Sequence, residues 1–191
     1  MRKVPLYVAL VHYPVLNRRG ETIASAVTNL DLHDMARTVC TYDVPACYIV
    51  TPLEDQQALC ERLLSHWKLG IARELHPARG EALERLRVVG NIGTAIEGVR
   101  EEWGESPLLW ATSARESEGV LSCREAGRFL DESSRPVLLL FGTGWGLAPS
   151  VLEDADALLE PIRGANGYNH LSVRCAAAIL MDRILNTGKR L

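Results

Sequence analysis

The sequence lacks the cysteine patterns that would assign it to a disulfide-rich or zinc-binding class. Its 191 residues include five cysteines, an odd number, and no two of them form a Cys-x-x-Cys pair. Neither a disulfide framework nor a zinc knuckle is therefore indicated. The pattern predicts reduced thiols and, with them, a cytoplasmic protein.

Long hydrophobic runs and an excess of one charge are also absent. No apolar stretch approaches the roughly 20 residues that cross a bilayer, and no signal peptide is visible after Met1-Arg2-Lys3. Hydrophobic residues make up 47% of the chain and charged residues 24%, with a net charge of −3. We therefore expect no membrane association, and any nucleic-acid site has to be a local basic patch.

Short apolar runs alternate regularly with amphipathic stretches along the chain. The apolar runs predict strands at Val4–Tyr13, Ala46–Val50, Glu84–Val89, Leu108–Ala111, Val137–Phe141 and Ala157–Leu159. The amphipathic stretches predict helices at Leu32–Thr41, Glu54–Leu69, Thr94–Trp103, Ser122–Leu130 and Leu171–Leu185. Segments 15–26 and 70–80 are expected to be loops. The alternation predicts an α/β fold in one domain over residues 1–191, with a mainly parallel sheet and helices on both faces.

Three loops of small residues follow strands in the second half of the chain. They are Ala111-Thr112-Ser113, Gly142-Thr143-Gly144 and the segment 160–172. In open α/β sheets ligands bind outside the carboxyl ends of the strands, so these loops are expected to meet at one ligand. The glycines come too late in the chain for a dinucleotide fingerprint, and no phosphate-binding Gly-x-x-x-x-Gly-Lys is present. A nucleotide-binding enzyme of another kind, holding NAD, stays open as an alternative.

A cluster of polar residues occupies the start of the first predicted helix. His33 and Arg37 are four residues apart and share a helical face, and Asp34 is three residues before Arg37. The cluster can be catalytic, or it can be a helix start rich in capping residues with Arg37 on the surface. A metal site formed with His12 is disfavoured because too few carboxylates stand at ligand spacing.

Seven arginines lie in loops and at strand starts, where they form either a solvated face or an RNA-binding patch. Arg18, Arg19 and Arg163 are the candidates for RNA contact. The remaining members of the set are Arg73, Arg79, Arg85 and Arg87.

Together these motifs resemble a known family. The segment HDMART followed by ACYIVTP, the stretch Ala111–Arg115, and FGTGWGL with the later EPIRG and HLSVRCAAAIL carry the resemblance. Their order and spacing are similar to those of the SPOUT class of S-adenosylmethionine-dependent RNA methyltransferases over nearly the whole chain. The resemblance implies a trefoil knot at the carboxyl end and a homodimer with the cofactor pocket at the subunit interface. The substrate that it implies is RNA, either tRNA or rRNA, and no metal is needed.

The resemblance also assigns candidate site residues. Arg37 falls where the family keeps a catalytic arginine. The expected contacts to S-adenosylmethionine are Ala111, Thr112, Phe141, Gly142, Thr143, Gly144, Pro161, Ile162, Asn169, His170, Leu171 and Ser172.

The sequence departs from the family pattern in two of the motifs. Gly144 and Trp145 stand where a glutamate is common, and Tyr168 and His170 replace a serine and an asparagine. The methylated atom, a ribose 2′-oxygen or a guanine nitrogen, therefore stays open. A protein of the same fold that binds S-adenosylmethionine or RNA without catalysis is the alternative.

Methyl transfer also needs a group that takes a proton from the nucleophile. The candidates are Asp31, Asp34, His33 and His170. Arg37 is a poor base because a guanidinium keeps its proton under ordinary conditions, but it can orient a phosphate or stabilise a developing anion.

Overall fold

The computed structural model of the protein describes residues 4–186. Residues 1–3 and 187–191, the ends of the predicted domain, lie outside this range. The strands are β1 (Leu6–Val11), β2 (Val15–Leu16), β3 (Thr22–Ile23), β4 (Cys47–Val50), β5 (Leu86–Val89), β6 (Leu108–Ala111), β7 (Val137–Gly142) and β8 (Ala157–Leu158). The helices are α1 (Asn29–Thr41), α2 (Glu54–Lys68), α3 (Gly70–Leu75), α4 (Pro77–Leu83), α5 (Ile92–Trp103), α6 (Cys123–Glu132), α7 (Pro149–Glu153) and α8 (Val173–Leu185).

Six strands form one sheet in the order β5-β4-β1-β7-β6-β8, and every neighbouring pair is parallel. β1 and β7 pair along their whole lengths at the centre of the sheet. Both are continuous apolar runs because both of their faces are buried. Since all six strands run in one direction, their carboxyl ends lie along a single edge of the sheet. The predicted parallel sheet is confirmed.

Helices cover both faces of this sheet. Val8 and Leu10 of β1 point to a core shared with α1, α2, α4, α6 and α8. Tyr7 and Ala9, which alternate with them, point to a second core shared with α5 and α7. This alternation follows from the two-residue period of a strand. Within residues 4–186 no helix has the length and apolar character that crossing a bilayer requires.

Two segments predicted as loops contain regular structure, and both predictions were wrong. Segment 15–26 holds the antiparallel hairpin β2–β3. Segment 70–80 holds α3 and most of α4, with Pro77 at the first position of α4, where its missing N–H is not needed. The alternation of strands and helices implies a helix between the last two strands without giving its bounds, and the short helix α7 lies there. It also begins at a proline, Pro149.

Helix capping explains why two helices begin at different residues from those predicted. Thr28 caps α1, and its hydroxyl accepts from the Asp31 N–H while the Asp31 carboxylate accepts from the Thr28 N–H. This capping box starts the helix at Asn29 rather than Leu32. Ser172 caps α8 by accepting from the Cys175 N–H at 3.3 Å, so α8 begins after Leu171.

The carboxyl end of the chain is the region in which the resemblance places a knot. After β8 the chain runs through segment 160–172, passes Ala114, and enters α8. α8 then packs against α1, α6 and β7. The trefoil knot itself stays a prediction from the family resemblance.

Candidate functional site

The three loops predicted to share a ligand begin side by side at the carboxyl edge of the sheet. Thr112, after β6, donates to the Leu140 carbonyl from its N–H at 3.2 Å and from its hydroxyl at 2.9 Å. Leu159, after β8, donates its N–H to the Ala111 carbonyl at 2.9 Å. The structure therefore brings the loops after β6, β7 and β8 together.

Segment 160–172 is tied to the loop that follows β6. The Asn169 side-chain amide donates to the Ala114 carbonyl at 2.8 Å. Arg163 forms an exposed ion pair with Glu116 at 2.9 Å. The first contact holds Asn169 between the two loops. The second neutralises the charge of Arg163 with that of Glu116. Arg163 is thus a weaker RNA candidate than its sequence position indicated.

Three buried members of the predicted cofactor set can offer only backbone atoms. The side chains of Ala111 and Phe141 are in the core, and Pro161 is buried where the chain leaves β8. Ile162 is half-buried against the core. A ligand at this edge would therefore be read mainly by main-chain groups and by the more exposed residues of segment 160–172.

The glycine loop after β7 is shaped by its contact with β2. Gly144 has φ +60°, and a Cβ there would lie 2.8 Å from the Leu16 carbonyl oxygen. Trp145 donates its N–H to the same carbonyl at 2.9 Å, and Leu16 donates its N–H to Gly146 at 2.9 Å. A Cβ at Gly142 would lie 2.5 Å from the Leu147 backbone nitrogen. Both glycines are therefore required by the protein chain itself, whatever ligand the loop holds.

The same contact places two candidate RNA-binding residues beside the glycine loop. Arg18 and Arg19 are exposed at the tip of the β2–β3 hairpin. The Asn17 side chain holds this tip by accepting from the N–H groups of Arg19 at 2.8 Å and Glu21 at 3.0 Å. Because β2 is docked on the glycine loop, the arginines extend from the predicted cofactor edge.

A network of buried and partly buried polar side chains connects the glycine loop to β1 and to the segment after β3. The Thr143 hydroxyl donates to the Val11 carbonyl at 3.0 Å and lies 2.5 Å from the Ser25 hydroxyl. Ser25 in turn lies 3.1 Å from Nδ1 of His12, which is fully buried. Burial lowers the pKa of His12, although the nearby Asp31 charge opposes the shift. Sequence reasoning considered His12 only as a metal ligand and missed this supporting role.

The acidic residues of α1 are engaged by a residue that sequence reasoning did not single out. Arg174 of α8 donates to Asp31 at 2.9 Å and to Asp34 at 3.0 Å. Burial would raise the pKa of Asp31, but hydrogen bonds from Thr28 and Arg174 outweigh it and hold that pKa below its usual value. An ionised, paired carboxylate is a weak proton acceptor, so neither geometry nor charge favours Asp31 as the base.

His33 and Arg37 face away from this pair, toward α2 and α4. The His33 ring lies edge-on to Trp67, with 5.5 Å between ring centroids. Burial lowers the pKa of His33, and the positive charges of Arg79 and Arg37 lower it further. Arg37 is exposed and lines a cavity of about 370 Å³ together with residues 75–79.

His170 is the candidate base that lies in the predicted cofactor loops. It is exposed in segment 160–172, and its ring contacts Tyr168 edge-on at 5.2 Å. Among the described residues, no hydrogen bond or ion pair joins Arg37 to the three loops. The structure therefore divides the candidate catalytic residues between the carboxyl edge and α1.

Residues 4–186 contain no group of three or more His, Cys, Asp or Glu side chains placed to hold a metal ion. The expectation that no metal is needed stays a prediction.

Comparison with known proteins identifies relatives along almost the whole chain. A family model described as SAM-dependent RNA methyltransferase matches residues 5–186. A curated relative from Nitratidesulfovibrio vulgaris, named tRNA (guanine-N(1)-)-methyltransferase, is 49% identical over 180 residues, which are 94% of this chain and 42% of that protein. The chain thus spans about two fifths of the length of that relative. An uncharacterized protein of Aquifex aeolicus is 34% identical over 184 residues, 96% of this chain and 90% of that protein.

The fold also matches solved structures. The crystal structure of TrmJ from Z. mobilis superposes with a TM-score of 0.64, covering 98% of this chain and 71% of that chain at 14% sequence identity. At this low sequence identity, the match shows only that the two proteins share a fold.

Proposed function

Because the chain belongs to the family of S-adenosylmethionine-dependent RNA methyltransferases, we propose that it methylates a tRNA or rRNA at the carboxyl edge of its sheet. The observation that carries the proposal is the junction of three small-residue loops with a hairpin that presents Arg18 and Arg19. A cofactor held by the loops and an RNA backbone held by the hairpin would then be neighbours.

The loops fit the chemistry of the cofactor. S-adenosylmethionine combines an adenosine, which needs apolar cover and hydrogen-bonding partners, with a cationic sulfonium. Trp145, Tyr168 and Leu171 are exposed around the loops and can cover an apolar ring. Ser113 and Asn169 supply polar groups between them. No lysine or arginine lies within segments 111–114 and 142–147, and Arg163 of segment 160–172 is paired with Glu116. Repulsion of a sulfonium by the loops is therefore weak.

When bound, S-adenosylmethionine supplies an electrophilic methyl group, and the chain must position and deprotonate the RNA nucleophile. We assign the proton acceptor to His170, because its imidazole is exposed within segment 160–172 and is not engaged in an ion pair within the described chain. His33 is the second candidate, but its ring packs edge-on against Trp67 and the neighbouring Asp34 is paired with Arg174. Arg37 is assigned to the RNA, where its planar fork can hold a phosphate or the developing charge.

We further propose that the enzyme is cytoplasmic, as its cysteine pattern indicates, and that it is a homodimer, as the resemblance implies. Exposed apolar residues at the predicted cofactor loops support this assembly, since a pocket at a subunit interface would cover them. A second protomer is also one way to bring an Arg37 to the loops, which it does not contact within its own chain.

The methylated atom divides the proposal into two cases. The name of the Nitratidesulfovibrio vulgaris relative favours N1 of guanine in tRNA, but that name describes a protein of more than twice this length. The segment Ala111–Arg115 resembles the tRNA ribose methyltransferases of the class, which favours a ribose 2′-oxygen.

The test is transfer of a labelled methyl group from S-adenosylmethionine to purified tRNA and rRNA fractions, followed by digestion to nucleosides. Label in 1-methylguanosine or in a 2′-O-methylated nucleoside identifies the atom. At saturating cofactor, His170→Asn should slow transfer at least about a hundredfold. Calorimetry with S-adenosylhomocysteine and with NAD separates the remaining cases. Binding of the former without any transfer would indicate the non-catalytic alternative, and binding of NAD instead would contradict the proposal.

A further inference from the structure

A second surface with the chemistry of an RNA contact lies between α1 and α4, apart from the loops at the carboxyl edge. We propose that this cavity binds a phosphodiester of the RNA substrate, with Arg37 and Arg79 holding the phosphate. The inference rests on the proposed function and adds to it a place where the RNA backbone is anchored.

The cavity is small and mostly apolar, and its wall includes two arginines. Its volume of about 370 Å³ suits a phosphate with part of its sugar. Arg37, His76 and Arg79 supply the polar side chains of the wall, whereas Leu75, Pro77 and Ala78 supply apolar surface. No carboxylate lines this cavity in the described chain. An anion attached to a sugar, whose C–H groups can pack on the apolar surface, is the class of ligand that fits such a wall.

Within the described residues, neither arginine has the carboxylate partner that several other arginines have. Six other arginines form ion pairs with carboxylates: Arg73, Arg85, Arg100, Arg135, Arg163 and Arg174. Arg37 and Arg79 form no ion pair among residues 4–186, although both stand close enough to His33 to lower its pKa. Two unpaired cations near one imidazole repel each other, and a bound phosphate would relieve that repulsion.

Arg79 is also held in place before any ligand arrives. Its guanidinium lies over the Trp67 ring, 4.5 Å from the ring centroid. Trp67 is in turn contacted by His33, His66 and His76, at centroid distances of 5.5, 5.2 and 6.0 Å. An arginine fixed on an aromatic face loses less conformational freedom when it binds. The cluster therefore presents a preorganised cation beside Arg37.

The experiment measures binding of fluorescein-labelled unfractionated bacterial tRNA by anisotropy over a range of salt concentrations. Arg79→Gln removes the fixed charge, and Ala78→Glu adds a repelling carboxylate to the wall without removing an arginine. Arg100→Gln is the matched control, since Arg100 lies on α5 on the other face of the sheet. We expect each cavity variant to weaken tRNA binding about tenfold or more. For Arg79→Gln the slope of log affinity against log salt should also fall by about 1.

Cofactor affinity and methyl transfer, measured on the same proteins, keep the two proposals apart. S-adenosylhomocysteine should bind both cavity variants as it binds wild type. Saturating RNA should restore most of their transfer rate, because both variants keep Arg37, which we assign to the reaction as well as to the phosphate. If Arg79→Gln and Ala78→Glu bind tRNA as tightly as the control Arg100→Gln, the proposed phosphate site is refuted. This holds even if the wild-type protein methylates RNA. Absence of transfer by wild type, with tRNA binding still lost in the cavity variants, would refute the proposed function and leave the anion site standing.

Discussion

The polar side chains at the start of α1 belong to two different environments, and this decides which of them are available for chemistry. Asp31 and Asp34 are held by Arg174 on the side of α8. His33 and Arg37 face α4, where no carboxylate neutralises the arginine within the described chain. Arg37 can therefore bind an anionic substrate, whereas the Asp31 carboxylate already accepts hydrogen bonds from Thr28 and Arg174.

Arg37→Ala should abolish most of the methyl transfer and leave cofactor affinity unchanged. A lost charge-stabilising donor costs about 2.7–4 kcal/mol, or roughly a hundred- to a thousandfold in rate. Arg37→Lys should rescue little, because a point charge does not replace the planar fork. Single-turnover rates at saturating RNA are the measurement. A variant within about threefold of wild type would remove Arg37 from the reaction.

The glycine at position 144 offers a second test at the residue scale. Ala at Gly144 or at Gly20 must adopt positive φ, at a cost of about 1 kcal/mol in either place. Only at Gly144 does the new Cβ also meet the Leu16 carbonyl, since nothing lies within 4 Å of Gly20. We therefore expect Gly144→Ala to lose both stability and S-adenosylmethionine affinity, and Gly20→Ala to lose stability alone. Thermal unfolding and calorimetry measure the two effects, and equal cofactor affinity in both variants would place the ligand elsewhere.

At the scale of secondary structure, α3 and α4 show where prediction from sequence stops. Segment 70–80 contains Gly70, Pro77 and Gly80, which favour a loop when each is considered locally. Packing overrides this preference, because Ala82 and Leu83 at the end of α4 enter the core beside α1. The strands β1 and β7 could be predicted because a strand buried on both faces is a continuous run of apolar residues. Such a run is visible in the sequence without knowledge of the strands that pair with it.

The contact between α1 and α8 leads to a prediction about stability and pH. Arg174→Gln removes two charge-assisted hydrogen bonds and should lower the free energy of unfolding by about 1–3 kcal/mol at pH 7. The folded pKa of Asp31 is depressed, so its contribution is present above the unfolded pKa of about 3.9 and is lost as pH falls through the folded value. The difference between wild type and variant should therefore shrink in acid.

Urea unfolding of both proteins at neutral pH and near pH 3 measures this difference. Arg100→Gln again serves as control, because the pair that Arg100 forms with Glu97 is half-exposed and contributes little. A stability difference between wild type and Arg174→Gln that is the same at both pH values would contradict the role given to Asp31.

At the scale of the whole molecule, the sequence predicted where the site lies better than what surrounds it. Parallel strands bring the loops after β6, β7 and β8 to one edge, so their convergence followed from the βα alternation alone. The docking of β2 on the glycine loop did not follow, because the Trp145–Leu16 hydrogen bond joins distant parts of the chain. That Arg37 and Arg79 line one cavity did not follow from the sequence for the same reason. Local sequence patterns therefore predict the topology of the sheet. The environment of each side chain depends on contacts between distant residues, which form only in the folded chain.

The association of two chains is the remaining prediction, and α8 is the element that tests it. Ala177, Leu180 and Met181 of α8 are buried in the core, so the apolar residues on its other side need a different partner. Ile179 is half-buried and lies outside the core cluster, as do Ala176 and Ala178. We expect a dimer at micromolar concentration in light scattering.

Ile179→Glu should give a folded monomer, because a carboxylate cannot be buried unpaired in an apolar interface. The resemblance places the cofactor pocket at that interface, so the monomer should also lose S-adenosylmethionine affinity. Leu69→Glu is the control, since Leu69 is exposed at the α2–α3 junction and its replacement should leave the dimer intact. Light scattering, circular dichroism and calorimetry on the three proteins complete the test. A monomeric wild type would refute the dimer, and an Ile179→Glu protein that stays dimeric would move the interface away from α8.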